Sequence, residues 1–235
     1  MRLTMIGHST VLIEAAGCRI LTDPYFGRFG NLAYARIQPP AMSAEDLRAV
    51  DLVLVSHNHW DHVNRHFLRL LDRQVPVVAP AVSAWITRLK GAKNVVGLRP
   101  WEERQFGVVK VTAVPAHHIA RTIGFLIEAE SKRVYFAGDT YFGQFMERIG
   151  TQARPDVALI PVTSYRIPMT MGEKGALRAV RALHPATVVP IHLGLAPRSP
   201  LLRTAETPER FRDLVRAAGL PTEVAILRNG ESREF

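Results

Sequence analysis

The sequence predicts an α/β protein, and three observations carry that prediction. Short apolar runs come first as paired strands and later in strand–helix units, the order expected when sheets are covered by helices on their outer faces. The densest polar cluster, His57-Asn58-His59-Trp60-Asp61-His62, directly follows the apolar run Asp51–Ser56, and the carboxyl end of a buried strand is where such folds place chemistry. A chain of 235 residues with 47% hydrophobic content can bury a sizeable core, and it reads as one domain spanning 1–235.

From Leu3 to Thr22 the pattern reads as two or three short strands, with Ala15-Ala16-Gly17 as a turn and Asp23-Pro24 as the stop. Residues 25–42 carry Gly27, Gly30, Pro39 and Pro40 among Tyr25, Phe26, Phe29 and Tyr34 without periodicity, so a long loop is expected, placed to act as a lid. Ser43-x-x-Asp46 has the form of a capping box and predicts a short helix carrying Leu47 and Val50. Beyond the histidine cluster, Phe67, Leu68, Leu70 and Leu71 predict a short amphipathic helix with His66 on its surface. Pro76–Ala79 reads as a buried strand, and Val82–Lys90 as a helix ended by Gly91.

Val95-Val96 and residues 106–114 predict strands that deliver Pro115-Ala116-His117-His118 to the same end as the first cluster. Ile123–Ala129 and Arg133–Ala137 read as a hairpin, with Gly138-Asp139 at its end. Asp156–Pro161 is a further buried strand. Thr170-x-x-Glu173 has the form of a second capping box, opening a helix to about Leu183. Thr187–Ile191 leads into His192, residues 193–207 are irregular, Pro208–Ala218 is a final helix and Glu223–Leu227 a last strand.

Three imidazoles and a carboxylate within six residues repel one another if protonated, and leave many polar groups to satisfy if buried, so the cluster calls for a cation at its centre. Extended backbone puts His57 and His59 on one side, because side chains alternate with period two. A turn then brings Asp61 and His62 to a second position. One metal can be held by the alternate histidines and another by the Asp-His pair. A solvated loop that happens to be rich in histidine is the alternative.

H-x-H-x-D-H is similar to the signature of the metallo-β-lactamase superfamily. Gly7-His8-Ser9-Thr10, Thr22-Asp23-Pro24, Pro115-Ala116-His117-His118, Gly138-Asp139-Thr140, Ile191-His192-Leu193-Gly194 and Asn229-Gly230-Glu231-Ser232 extend the likeness over nearly the whole chain. It most resembles the L-ascorbate-6-phosphate lactonase-like and the N-acylphosphatidylethanolamine phospholipase D-like hydrolases. The resemblance implies an αβ/βα four-layer sandwich, with two mixed β-sheets facing each other and helices outside. It implies a first metal held by His57, His59 and His118, a second held by Asp61, His62 and His192, and Asp139 touching both. Two zinc ions are expected, with manganese or iron compatible with the oxygen-richer position.

By the same likeness His118, the third residue after Pro115, is the ligand, and His117 shapes the pocket. Asp23 alone reads as the start of a turn; the resemblance makes it the hydrogen-bond partner that holds ligand histidines. The implied chemistry is hydrolysis of an ester, lactone or phosphodiester in a small, anionic substrate by a hydroxide shared between two metals, with Asp61 orienting or deprotonating it. His8, Tyr165 and His117 are candidates for substrate contact or proton donation, although each also reads as structural; Trp60 is expected in the pocket wall. Leu193 stands where these subgroups usually carry an aromatic residue, which predicts a more open pocket.

The formal net charge is +9, mostly from scattered arginines, with no basic run of the kind that binds nucleic acid. A small-molecule substrate is therefore expected, and no specific nucleic-acid partner. A nuclease of the same superfamily and an inactive metal-stabilised binding protein are the competing readings. No run approaches the roughly 20 apolar residues of a membrane span, and the start of the chain shows no signal-peptide pattern, so a soluble cytoplasmic protein is expected. The single Cys18 excludes an intrachain disulfide and reads as a core residue. A homo-oligomer is compatible with all of this.

Overall fold

Strands apolar on both faces need cover on both faces, and two sheets packed together with helices outside supply it. In the computed structural model, which describes residues 1–235, the chain opens with β1 (Arg2–Gly7), β2 (Thr10–Ala15) and β3 (Cys18–Thr22). It continues through β4 (Tyr34–Arg36), β5 (Leu52–Leu54), α1 (Arg65–Leu70), β6 (Pro76–Pro80), α2 (Ala84–Leu89) and β7 (Asn94–Leu98). Then come β8 (Glu103–Phe106), β9 (Val109–Pro115), β10 (Ile123–Ala129), β11 (Lys132–Phe136), α3 (Phe145–Gln152), β12 (Val157–Pro161) and α4 (Gly172–Leu183). The last elements are β13 (Thr187–Ile191), β14 (Leu195–Pro197), α5 (Pro208–Ala217), β15 (Glu223–Val224) and β16 (Ser232–Glu234).

One seven-stranded sheet has the order β16-β1-β2-β3-β5-β6-β7, and the other β15-β13-β12-β11-β10-β9-β8. Both are mixed in the same way. β1, β2 and β3 are antiparallel and β3, β5, β6 and β7 parallel; β8 to β11 are antiparallel and β11, β12, β13 and β15 parallel. This is the mixed two-sheet sandwich that the sequence predicts.

The period-two alternation sorts the apolar residues into layers. Leu52 and Leu54 of β5, Ile123, Phe125 and Ile127 of β10, and Val157 and Leu159 of β12 share the core between the sheets. Their neighbours along the same strands point the other way: Leu126, Ala158 and Ile160 pack with Met146, Val180 and Phe211 of the outer helices. On the far face, Val53 and Val55 meet Phe67 and Leu68 of α1. Cys18 is half-buried at the edge of the central core.

Local signals fail where tertiary contacts claim the same groups. Ser43 and Asp46 form the reciprocal bonds of a capping box, Ser43 N–H to Asp46 Oδ2 at 3.0 Å and Asp46 N–H to Ser43 Oγ at 3.2 Å, yet only turns follow, and Leu47 and Val50 are buried from there. At α4 the predicted box is absent. Thr170 Oγ1 donates to Thr163 O and Glu173 accepts from Thr207 N–H, while the distant Glu206 accepts from Ser164 N–H and Glu173 N–H. Helix α3, which no sequence pattern above predicts, carries Gly150 where α4 comes close. A Cβ there would run into the Ala182 carbonyl, so the glycine permits α3 and α4 to touch. The last strand stops at Val224, and Ser232–Glu234 pairs with β1 to end the first sheet.

Residues 25–42 are clasped rather than free. β4 pairs antiparallel with β14, Ile37 N–H donates to Gly194 O, and Ala41 N–H to Ile6 O. The Arg36 guanidinium donates to the carbonyls of Tyr25, Gly27 and Gln38 and lies 4.3 Å from the Tyr25 ring centre. No helix is long and apolar enough to cross a membrane.

Candidate metal centre

Six strands from the two sheets end at one place. Immediately beyond the carboxyl ends of β1, β3, β11 and β13 stand His8, Asp23, Asp139 and His192 with the turn residue Gly138, while β5 leads to His57 and β9 to His118. Gly138 is required by a close approach: its φ is +56°, and a Cβ would lie 2.5 Å from Ser56 Cβ. His8, Asp23 and His192 also hold positive φ (60°, 31° and 64°), a region that non-glycine residues occupy only under constraint.

Ligand-type atoms of His57, His59 and His118 lie within 4.8 Å of one another, and so do those of His8, Asp61, His62 and His192. Asp139 sits between the groups. Its Oδ2 is 3.2 Å from His192 Nε2, 3.4 Å from His62 Nε2, 3.9 Å from His118 Nε2 and 4.0 Å from His57 Nε2.

Beneath the cluster, one buried carboxylate sets two tautomers. Asp23 Oδ1 accepts from Ser56 N–H at 2.7 Å, and its Oδ2 accepts from Ser56 Oγ at 2.6 Å and from His62 Nδ1 at 2.7 Å. A hydroxyl has one proton, so Ser56 Oγ, already donating to Asp23, accepts from His57 Nδ1 at 2.9 Å. His57 and His62 are thereby protonated on Nδ1 and turn Nε2 lone pairs inward. Ser56 is a functional position that sequence reasoning missed, since it closes an apolar strand and belongs to no ligand pattern.

His8 is fixed in the opposite sense. Its Nδ1 accepts from Gly194 N–H at 3.1 Å, so the neutral ring carries its proton on Nε2, 3.6 Å from Asp61 Oδ2. A ring so arranged faces Asp61 as a donor and offers no lone pair there.

The charges follow from burial and crowding. Burial, with repulsion from His192, lowers the His8 pKa to about 3, and burial is also the main cause holding His57, His59 and His118 below the usual imidazole range. Burial opposes ionisation of Asp61 and Asp139. Even so, His8, His62 and His192 around the first, and His192 and His62 around the second, hold both well below the usual carboxylate range. Burial likewise opposes charge on His62, but Asp139 and Asp23 push it well above the usual value, so a metal gains the His62 Nε2 lone pair by displacing a proton from it.

The residues fit a metal. His57 Nε2, His62 Nε2, His118 Nε2, His192 Nε2 and Asp139 Oδ1 are all buried without a hydrogen-bond partner, and buried polar atoms are rarely left so. A cation among them satisfies every one, and imidazole with carboxylate is a donor set for zinc or a related transition metal.

Around the cluster is a cavity of about 160 Å³, lined by Tyr34, Trp60, Tyr165, Met169 and Leu195 together with ligand-type residues. Trp60 is in the wall, as expected. Tyr165 presents its ring there, but its hydroxyl donates to Leu195 O at 3.4 Å and burial raises its pKa above the usual phenol value, which makes it a poor proton donor. His117 is exposed, packs against Phe145 and is absent from the lining, which corrects its expected role in shaping the pocket. Leu193 lines two neighbouring cavities instead, so exchanging an aromatic residue there does not open this pocket. Tyr34, Met169 and Leu195 had no sequence signal as site residues, because the β4–β14 clasp and the 163–169 loop bring them in.

Comparison with known proteins gives concordant matches. Residues 18–193 match the family model described as the β-lactamase superfamily domain. The chain is 32% identical over 246 residues to a UPF0173 metal-dependent hydrolase of Methanopyrus kandleri and 34% identical over 249 residues to one of Pelotomaculum thermopropionicum, each pair matched over 100% of both chains. Among solved structures it is similar to Igni18, a metallo hydrolase of Ignicoccus hospitalis, with a TM-score of 0.80 and 26% identity, covering 100% of this chain and 98% of that one. The isothiocyanate hydrolase from Delia radicum gut bacteria shares the fold, with a TM-score of 0.83 and 21% identity over 100% and 99% of the two chains.

Proposed function

The chain belongs to the β-lactamase superfamily and, within it, to the UPF0173 metal-dependent hydrolases, and from that premise we propose that it uses two metal ions to cleave an ester, lactone or phosphodiester bond in a small substrate. His57, His59 and His118 hold one ion, Asp61, His62 and His192 the other, and Asp139 lies between. The observation that carries this reading is the convergence on Asp139, whose Oδ2 lies within 4.0 Å of the Nε2 atoms of four histidines drawn from both sheets.

When bound, such a pair of ions lowers the pKa of a water and stabilises the negative charge that develops at a carbonyl or phosphoryl centre. Zinc suits the nitrogen-rich set, and manganese or iron suits the position that includes Asp61. The chain's own residues do the rest. Asp23 and Ser56 keep the lone pairs of His57 and His62 inward. Asp61, held ionised, is placed to orient the attacking water and take its proton, and the Nε2–H of His8 steadies that carboxylate. The lining side chains of the pocket limit competing water.

The test is hydrolysis of simple lactones and esters by zinc-loaded protein. Activity should vanish on chelation and return with added zinc. Protein that holds two equivalents and shows no metal-dependent hydrolysis of any ester, lactone or phosphodiester would overturn the proposal.

A further inference from the structure

On the reading just given, we infer that the site selects an uncharged substrate with a compact apolar part, at most about the size of one six-membered ring, and rejects substrates whose charge lies away from the bond being cleaved. The resemblance read from the sequence implies the opposite, an anionic substrate, with which the +9 net charge is compatible. The pocket gives the reason for the change. None of its ten lining residues is a lysine or arginine, and five of them (Tyr34, Trp60, Tyr165, Met169 and Leu195) are hydrophobic or aromatic.

Two cations close by in sequence or space are committed elsewhere. The Arg36 guanidinium is taken by the carbonyls of Tyr25, Gly27 and Gln38 and by the Tyr25 ring, and the Lys90 ammonium donates to Asn58 O at 2.6 Å. The fixed charges among the lining residues, the carboxylates of Asp61 and Asp139, belong to the metal positions, so the lining offers no cation to hold a negative group away from the bond being cleaved. A negative group at the reacting bond finds its counter-charge in the metals. One placed further along the substrate is buried against apolar wall without a partner, which is costly.

The wall is a built surface. β4 and β14 pair Tyr34 with Pro197 and Arg36 with Leu195, which fixes the strands that carry Tyr34 and Leu195. Tyr34 packs on Tyr165 with ring centres 5.1 Å apart at 36°, and Trp60 stands edge-on to Tyr25 at 5.7 Å. The pocket that they line together with the ligand-type residues is about 160 Å³, metal positions included, so the roughly 150 Å³ of an apolar cavity known to take benzene is an upper limit for the apolar group. That limits the size of the group.

A matched pair of esters tests the inference: 4-nitrophenyl butyrate and mono-4-nitrophenyl succinate share the scissile bond and the leaving group, and differ by a methyl against a carboxylate at the far end of the acyl chain. With zinc-loaded protein, kcat/KM should favour the butyrate by about tenfold or more, a discrimination of the size one pocket contact supplies. Met169→Arg should cut that preference by about tenfold while leaving metal content unchanged. A wild-type ratio of one or below overturns the inference. A second arm needs no turnover: in saturation-transfer NMR on metal-free protein, benzyl alcohol should receive magnetisation and benzenesulfonate little, and Tyr34→Ala should diminish the benzyl alcohol signal. Absence of transfer to benzyl alcohol, or equal transfer to both, sinks it. If protein with two metal equivalents hydrolyses neither ester, the hydrolase reading is what fails, and the NMR arm still decides the chemistry of the pocket.

Discussion

The two ends of the sandwich are built from the same strands to opposite standards. At the closed end, charges find partners: the Met1 ammonium lies 3.0 Å from Glu130, which also accepts from Ala16 N–H, and Arg233 of β16 makes two 2.7 Å bonds to Glu223 of β15, tying one sheet to the other. At the metal end, six of the ten buried side-chain atoms without a partner belong to His57, His62, His118, Asp139 and His192. Left-handed backbone occurs at both ends, with different meaning. At the closed end it falls in the hairpin turns Ala16-Gly17 and Glu130-Ser131, where positive φ is what the turn needs. At the metal end it holds His8, Asp23 and His192, which stand immediately beyond strands β1, β3 and β13. Most of the buried side-chain polar atoms that the fold leaves without a partner are thus gathered where a ligand is to complete them.

The largest effect expected from breaking this contrast is at Asp139. Asp139→Ala should lower the affinity of both metal positions and cut hydrolysis by about a thousandfold, the upper range for losing one preorganised charge-stabilising group. Metal titration and kcat/KM check it. Asp23→Asn comes next: the asparagine keeps the shape but can no longer accept from Ser56 and His62 together at one ionised oxygen, and metal affinity should fall by about 10–100-fold. An unchanged affinity would mean that the two tautomers are set by something else. Gly138→Ala should then cost about 1–3 kcal/mol in urea unfolding, because the new methyl meets Ser56 and the backbone is left-handed.

Much of this contrast is legible in the sequence, and what is not has a physical reason. Continuous apolar runs mark β5, β10, β12 and β13, because both faces of those strands are buried. Each ligand-type residue of the cluster follows an apolar strand closely, so His57, His118, Asp139 and His192 stand out in one dimension. Ser56, Tyr34, Met169 and Leu195 do not. They act through partners distant in sequence, Asp23 for Ser56 and the β4–β14 pairing for Tyr34 and Leu195, and no local spacing encodes such a pairing. The helix expected after Ser43 fails for a related reason: its capping bonds form, but Leu47 and Val50 reach the core from turns.

The smallest effect belongs to the closed end. The Glu223 carboxyl is held below its usual value by the hydrogen bonds from Arg233, so the pair contributes stability above the unfolded carboxylate pKa and loses it as pH falls through the lower folded value. Glu223 is half exposed, and solvent screening keeps the contribution to a few tenths of a kcal/mol. Glu223→Gln should therefore soften the acid limb of the stability curve slightly and leave metal content untouched. A change in metal content would show that the two ends are coupled.

The division of labour at the metal end is tested most directly by counting metal in purified protein. Elemental analysis after saturation with zinc and removal of excess should give about two equivalents per chain for the wild type and about one each for His118→Ala and His192→Ala, with His117→Ala unchanged and folding checked by circular dichroism. No more than one equivalent in the wild type, or loss of metal from His117→Ala with retention by His118→Ala, would contradict the account.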